Sequence, residues 1–197
     1  MIEQNCSDNS SDNVASIGQV VFEMEGCHLL TPHVTRDLRG SFSKVLSAQM
    51  QLDFGIRFIP RELFWSSSSH GVIRGMHLQL PPHAGTKLVW VSHGVIRDVI
   101  IDCRIPSQTY GSCFVNELSE LSGGLYIPVG CAHGYEVLSN TAVVNYAQDV
   151  DYDPEFDSGI AWDSFNFSWI TEHPILSERD LKHPTFEKFV SPFTDAV

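Results

Sequence analysis

The chain has 197 residues, of which 43% are hydrophobic, and it carries a formal net charge of −12 at pH 7. This length suits one domain better than two, and the apolar content is sufficient for a sizeable core. An acidic surface repels phosphate backbones and anionic lipids, so we expect neither nucleic acid nor membrane as a partner.

The N-terminal segment 1–17 is rich in Ser, Asn and Asp and is expected to be disordered, which leaves 18–197 as a single domain. It lacks the apolar stretch of a signal peptide, and no later segment is long enough to span a bilayer. The five cysteines are odd in number and form no CxxC pair, which favours free, mostly buried thiols. We therefore expect a cytoplasmic protein.

Short segments of alternating apolar and polar residues follow from residue 20 onward, and turn residues such as Ser139-Asn140 separate several of them. This pattern predicts an all-β sandwich or barrel. Helix signals are weak, at 47–54 and 176–182, and the tail after Asp163 is expected to wrap over the barrel. The predicted strands are 20–25, 28–34, 40–46, 57–65, 71–79, 86–92, 94–102, 112–118, 124–129, 134–139 and 141–148.

The densest polar signal lies within 71–91, where His77 and Lys87 are the informative residues. Alternation places Lys87 on the same apolar face as Val89, and a lysine there is costly unless it has a function or reaches water. A lysine that extends to solvent at a strand end is the plainer interpretation. A single histidine in a strand is usually a core or surface residue with its hydrogen bonds satisfied.

Alternation also places Arg74 and His77 on opposite faces of their strand. Either a bulge at Gly75 resets the register, or Arg74 serves another part of a site.

Two further clusters contain candidate residues. In 124–138, glycines and a proline indicate a tight connection that presents His133, either for close approach of the backbone to a ligand or as a plain hairpin turn. In 143–163, Tyr146 lies in a predicted strand and Tyr152 in the loop that follows. Buried tyrosines are more often packing residues than proton donors.

Metal and cofactor motifs are lacking. A strand that supplies two metal ligands would carry a second histidine two positions after His77, on the same face, but Gln79 stands there, and no Cys/His ligand spacing occurs elsewhere. The sequence also has no GxGxxG, GxxxxGK[ST] or GxSxG motif. We expect no metal and no cofactor.

Eight motifs between residues 36 and 182 resemble, in order, those of the dTDP-4-dehydrorhamnose 3,5-epimerase family. They are RDLRGSF (36–42), GVIRGMHLQ (71–79), KLV (87–89), DVIID (98–102), SQTYG (107–111), IPVGCAHG (127–134), WD (162–163) and ILSERD (175–180).

The resemblance implies a fold, a reaction and an assembly. The fold is a cupin-like double-stranded β-helix (jelly roll) with short peripheral helices. The reaction inverts C3, C5 or both centres of a nucleoside-diphosphate 4-keto-6-deoxyhexose without a cofactor, in deoxysugar biosynthesis of the lipopolysaccharide or O-antigen type. The assembly is a homodimer, and the segment around Phe64-Trp65 is a candidate for its interface.

The resemblance also implies residue roles. His77 is the general base, Asp180 its carboxylate partner, and Tyr146 the proton donor. Lys87 completes the catalytic set, where an ammonium group would favour the enolate formed next to the C4 ketone. The substrate-binding set implied by position is Arg39, Arg74, His133, Lys44, Glu62, Phe64, Asp157, Arg179 and Tyr152.

Two positions depart from the family pattern. Lys44 stands where an acidic residue is usual, and Glu62-Leu63-Phe64 replaces a Gln-x-Asn. Because these positions contact the nucleotide in the family, we hypothesise that the nucleotide is not dTDP, with CDP and GDP as candidates. Two other functions stay open, a non-catalytic cupin that binds a sugar nucleotide and a cupin 3,4-ketoisomerase.

Overall fold

A computed structural model describes residues 20–21 and 23–195 of the chain. The predicted disorder of 1–17 lies outside these residues. No helix in the described part is long and apolar enough to cross a bilayer. The strands are β1 (Val20–Val21), β2 (His28–Leu30), β3 (His33–Asp37), β4 (Gly40–Lys44), β5 (Glu62–Ser69), β6 (Ile73–Gln79), β7 (Lys87–His93), β8 (Val95–Asp102), β9 (Cys113–Ser119), β10 (Gly124–Ile127), β11 (Cys131–Val137), β12 (Thr141–Gln148) and β13 (Asp157–Gly159).

Two main sheets form the body of the fold. One has six strands in the order β1-β9-β8-β11-β6-β13, and the other has five in the order β2-β10-β7-β12-β5. Every strand pair is antiparallel except β1 with β9. A separate hairpin pairs β3 with β4. The predicted all-β class is therefore confirmed.

The core between the two sheets follows from alternation along each strand. Val89 and Val91 of β7 belong to the same buried cluster as Ile96 and Ile100 of β8. The next residue on β8, Ile101, points to the other face and joins a different cluster. Strand β8 is therefore buried on both faces of its sheet, which explains its long apolar run.

The C-terminal segment covers the outer face of the six-stranded sheet. Phe165, Phe186 and Phe193 pack there in one cluster with Val99 and Ile101. Burial of these aromatic side chains removes a large apolar area from water and fixes the tail against the sheet. This packing brings residues near position 180 close to β6.

The short helices lie at the periphery, as predicted. The helix α1 spans Ala48–Asp53 within the predicted segment 47–54, and Ser47 caps it by accepting a hydrogen bond from the Met50 amide at 3.2 Å. The predicted helix 176–182 was too long, because only the 3-10 turn Asp180–Lys182 forms. A second 3-10 turn spans Phe186–Lys188.

Several strand boundaries differ from the prediction. The segment 28–34 forms two strands because Thr31-Pro32 interrupts it, and proline cannot donate to a ladder. Strand β5 starts five residues later than predicted and includes the serines up to Ser69, whose backbones pair with β12. The three-residue strand β13 was not predicted at all.

Candidate active site

A cavity of about 350 Å³ opens between the two sheets. Its walls come from both of them and from the C-terminal segment, so residues far apart in sequence meet there. The lining side chains are Glu62, Phe64, Ser66, Arg74, His77, Leu78, Gln79, Lys87, His133, Tyr146, Gln148, Tyr152, Asp157 and Arg179.

His77 and Asp180 form a hydrogen-bonded pair at the cavity wall, with 2.8 Å between His77 Nε2 and Asp180 Oδ1. Burial lowers the pKa of His77 and outweighs the opposing effect of Asp180. Burial raises the pKa of Asp180, but hydrogen bonds and the charge of His77 lower it by more. Because the carboxylate only accepts, Nε2 of a neutral His77 donates and Nδ1 keeps its lone pair.

Lys87 points into the cavity on the apolar face where alternation placed it, so the plainer interpretation, a lysine that extends to solvent, is wrong. Its Nζ donates a hydrogen bond to the His77 carbonyl oxygen at 3.1 Å. Burial lowers the pKa of Lys87 to about 8, with Asp157 opposing the shift. The ammonium is therefore a partly desolvated charge beside His77, where it would interact strongly with a developing anion.

Tyr146 belongs to the sheet that faces His77. Its ring stacks on Phe64, with 4.7 Å between centroids and 10° between planes, and lies edge-on to His133 at 6.0 Å. Burial holds the pKa of Tyr146 well above its usual value. The phenol therefore stays protonated at neutral pH and can give a proton from the side opposite to His77.

His133 lies within β11 and not in a turn, so the tight connection predicted to present it was misplaced. The turn is formed by Pro128–Gly130, immediately before β11 begins at Cys131. His133 Nε2 is 2.7 Å from Asp98 Oδ2, and both side chains are buried. The sequence analysis did not identify Asp98 as the partner of His133. Alternation could have indicated it, because it places Asp98 on the same inward face as Ile100.

A bulge in β6 turns both Arg74 and His77 toward the cavity. On β11, His133 pairs with His77 and Tyr135 with Arg74, so three steps on β6 match two steps on β11. Of the two alternatives from the sequence, the bulge at Gly75 is confirmed. Arg74 Nε donates to the Ser68 hydroxyl at 2.9 Å.

Polar residues at the mouth of the cavity are joined by hydrogen bonds. Glu62 Oε2 accepts from the Gln148 amide nitrogen at 2.7 Å and from the Tyr152 backbone amide at 2.8 Å. Arg179 donates to Asp157 Oδ1 at 2.6 Å, and the Tyr152 hydroxyl lies 3.3 Å from the other oxygen of Asp157. The glutamate and the aspartate are thus engaged by neighbours at the mouth.

The hairpin β3–β4 carries two predicted substrate-binding residues that do not line this cavity. Arg39 is 90% exposed in its side chain and pairs with Asp37 at the hairpin turn, and Lys44 is exposed at the end of β4. Neither residue reaches the cavity of its own chain, and their predicted roles stay predictions.

One grouping at the site has the composition of a metal ligand set. The ligand atoms of His77, Asp180 and His183 lie within 4.8 Å of one another. His183 was not among the predicted site residues, because it lies in a segment without a recognisable ligand spacing.

The fold and cavity together define a jelly-roll protein with a histidine–carboxylate pair in one sheet and a buried phenol in the facing sheet. A family model described as dTDP-4-dehydrorhamnose 3,5-epimerase matches residues 21–188. The chain therefore belongs to the dTDP-4-dehydrorhamnose 3,5-epimerase family, whose members are isomerases.

Individual relatives agree with this assignment. A dTDP-4-dehydrorhamnose 3,5-epimerase of Sinorhizobium fredii is 35% identical over 80% of this chain and 83% of its own length, and one of Methanothermobacter thermautotrophicus is 37% identical over 80% and 88%. The crystal structure of the Bacillus anthracis enzyme with TDP and pyrophosphate bound has a TM-score of 0.78 at 34% identity, covering 81% of this chain and 93% of that one. The Legionella pneumophila enzyme in complex with dTDP-4-keto-L-rhamnose has a TM-score of 0.78 at 30% identity, covering 83% and 89%.

Proposed function

We propose that this protein inverts C3, C5 or both centres of a nucleoside-diphosphate 4-keto-6-deoxyhexose by proton transfer next to the ketone. One observation carries the proposal. A histidine base on β6 and a tyrosine acid on β12 face the same cavity from opposite sheets. Inversion requires removal of a proton from one face of a carbon and its return to the other, and this arrangement supplies both groups.

His77 is the group that removes the proton. A C–H bond beside a ketone is acidic because the resulting anion is an enolate, and a neutral imidazole is a suitable base near pH 7. Its Nδ1 accepts the proton while Nε2 stays bonded to Asp180 at 2.8 Å. The Asp180 carboxylate then stabilises the imidazolium and fixes the ring orientation.

Lys87 stabilises the oxygen of the enolate. Its ammonium lies beside the His77 backbone within the cavity, where a preorganised donor acts without the competition of bulk water. Removal of one such donor typically costs about 2.7–4 kcal/mol of transition-state stabilisation. Tyr146 then returns a proton from the facing sheet and recovers its own from solvent.

Cationic and aromatic side chains at the mouth support a sugar-nucleotide ligand. Arg74 and Arg179 offer guanidinium groups to the diphosphate, and Tyr152 offers a flat ring to the base or sugar. Glu62 and Phe64 line the same mouth where the family usually has amides. The relatives named above act on dTDP sugars, whereas these two residues favour a different base, so dTDP, CDP and GDP are the nucleotides to compare.

A homodimer would give the hairpin residues a function. Arg39 and Lys44 lie outside the cavity of their own chain, so contact with a substrate requires the hairpin of one protomer to reach the cavity of the other. The edge strand β5 supports such an assembly, because Leu63 and Trp65 are 67% and 72% exposed there.

We infer a cytoplasmic dimer of an enzyme in lipopolysaccharide-type deoxysugar biosynthesis. The free thiols of Cys27, Cys103, Cys113 and Cys131 fit that compartment.

Proton exchange in deuterium oxide tests the reaction directly. We would incubate the protein with 4-keto-6-deoxyglucose linked to dTDP, CDP or GDP and follow the C3 and C5 proton signals by NMR. Loss of a signal with wild type but not with His77→Ala supports the epimerase, and the position lost identifies the centre. Binding without exchange would instead indicate a binding protein, and a shift of the keto group from C4 to C3 would indicate a ketoisomerase.

A further inference from the structure

His183 lies beside the catalytic pair and has no part in the proposed reaction. It follows the 3-10 turn Asp180–Lys182 directly, and only 10% of its side chain is exposed. Its Nε2 is buried and has no hydrogen-bond partner among the described residues. Burial of a ring nitrogen without a hydrogen-bond partner costs free energy, so this nitrogen is a candidate to bind a ligand.

The unpartnered nitrogen faces the same carboxylate oxygen that binds His77. Asp180 Oδ1 is 4.0 Å from His183 Nε2 and 2.8 Å from His77 Nε2. The ring centroids of the two histidines are 5.6 Å apart, with 68° between their planes. Two imidazole nitrogens and one carboxylate oxygen therefore converge on one point at the edge of the cavity.

We propose that His77, Asp180 and His183 form an inhibitory site for a divalent transition-metal ion of the zinc type. Two imidazoles and one carboxylate are a ligand set that zinc takes in proteins, and the fourth position can hold water from the cavity. Zinc–ligand distances near 2.0–2.2 Å place neighbouring ligands roughly 3.3 Å apart. The pair at 2.8 Å must therefore open by about 0.5 Å, and His183 Nε2 must approach Asp180 Oδ1 by about 0.7 Å.

The bound ion would inhibit by changing the tautomer of the base. This step rests on the proposed function of His77. Without metal, the hydrogen of neutral His77 lies on Nε2 and the lone pair on Nδ1 is free to accept the substrate proton. When the ion takes the Nε2 lone pair, the hydrogen of the neutral ring must lie on Nδ1, and that nitrogen can no longer accept a proton. The change needs no oxidant or reductant and no net release of a proton.

Metal titration without substrate tests the site. Metal-free protein is titrated with Co²⁺ and Zn²⁺, with Co²⁺ ligand-field absorption and bound-metal analysis as readouts. Wild type is expected to bind one ion per chain with the spectrum of a four-coordinate site. His183→Gln is expected to weaken binding by more than about 100-fold, since loss of even an outer-shell partner typically costs roughly 10–100-fold. The matched control His93→Gln, at a histidine 61% exposed in its side chain, should bind as wild type does.

Zinc inhibition is the second readout. Zn²⁺ should abolish deuterium exchange by wild type, while His183→Gln should keep its metal-free rate and resist the ion. Equal metal affinity of wild type and His183→Gln, or no binding by wild type, would overturn the proposal. Because Co²⁺ binding is read without substrate, an inactive protein that binds the ion would contradict the proposed function and leave the site standing.

NMR of the histidine rings tests the metal site in the wild-type protein, so this test does not require that a variant folds. In wild type, Zn²⁺ should shift the ring protons of His77 and His183 together at one ion per chain. Shifts restricted to exposed histidines would refute the site, whatever the behaviour of His183→Gln.

Discussion

His77 and His133 face each other on the paired strands β6 and β11, and the Nε2 of each ring contacts an aspartate, Asp180 at 2.8 Å and Asp98 at 2.7 Å. The same tautomer is therefore expected in both neutral rings, with the lone pair on Nδ1. The pairs differ in access, because 25% of the His77 side chain is exposed against 4% for His133. This difference favours His77 as the base and His133 as an oriented wall of the cavity.

Replacement of Asp180 by asparagine should disable the base while the fold persists. The asparagine amide can donate to His77 Nε2, which reverses the tautomer and leaves Nδ1 protonated. Loss of an equivalent aspartate in a histidine-based site elsewhere costs about 10⁴ in kcat, and we expect a loss of roughly 10³–10⁴ here. The deuterium-exchange rate measures it.

The nearby Glu178→Gln variant is the matched control, because the Glu178 side chain is 95% exposed and pairs with Lys182 at 3.9 Å. It should keep wild-type activity. If Asp180→Asn exchanged protons at the wild-type rate with an unchanged melting curve, the pairing of Asp180 with the base would have no catalytic role.

The pH profile of kcat/KM should be bell-shaped. Burial lowers the pKa of His77 from its ordinary 6.5, so the neutral base persists below that pH and activity falls only in more acidic solution. The pKa of Lys87 is lowered to about 8, so the ammonium and its stabilisation of the enolate are lost as the pH rises through 8. Lys87→Arg should move the alkaline limb upward, because guanidinium stays charged. A limb near pH 8 that persists in Lys87→Arg would assign it to another group.

Tyr146→Phe should separate proton removal from inversion. His77 can still exchange the substrate proton with solvent from its own side, but no acid remains on the facing sheet. We expect deuterium incorporation to continue while formation of the inverted product falls by about 10²–10⁴, the typical contribution of a general acid. NMR of the product measures both. Tyr126→Phe is the control, since Tyr126 is buried in the cluster on the outer face of its sheet, and an equal loss of inversion there would show a packing effect.

Much of the site follows from residue types and strand alternation, and the remainder depends on tertiary geometry. Lys87 points inward as its apolar neighbours indicated, because a pleated strand alternates strictly. The bulge at Gly75 interrupts this alternation, and the sequence could offer it only as one of two explanations for the positions of Arg74 and His77. The contacts of His183 depend on how the C-terminal segment packs against β6, and local patterns carry no record of such a long-range contact.

The boundaries of β5 illustrate the same limit in the fold. A run of serines is typical of a loop, yet Ser66–Ser69 continues the strand because β12 pairs with its backbone. Ser66 and Ser68 also place their hydroxyls 2.8 and 3.2 Å from the Tyr135 hydroxyl. The interior of this sandwich is polar where it forms the cavity, so serine suits a strand there although its intrinsic preference opposes it.

Gly75→Ala should destabilise the protein more than Gly40→Ala. Both glycines have positive φ, 146° and 122°, so either alanine is strained by about 1–3 kcal/mol. Only at Gly75 would the new Cβ also lie 2.5 Å from the Gly134 Cα, whereas nothing lies within 4 Å at Gly40. We expect the free energy of unfolding to fall by a further 1–3 kcal/mol or so at Gly75, as for overpacking. Urea denaturation measures the free energy of unfolding of both variants. Equal losses would mean that β6 and β11 move apart at no cost in stability.

Mixed dimers should reveal whether Arg39 acts on the cavity of the partner. Arg39→Ala and His77→Ala are each expected to be nearly inactive, the first through weakened substrate binding and the second through loss of the base. If Arg39 acts across the dimer, a mixed dimer has one intact site and one doubly altered site. Random mixing of equal amounts, which makes half of all dimers mixed, should then restore about a quarter of wild-type activity. If Arg39 serves its own chain, every site in the mixture carries one defect and no activity returns, which would refute the crossed arrangement.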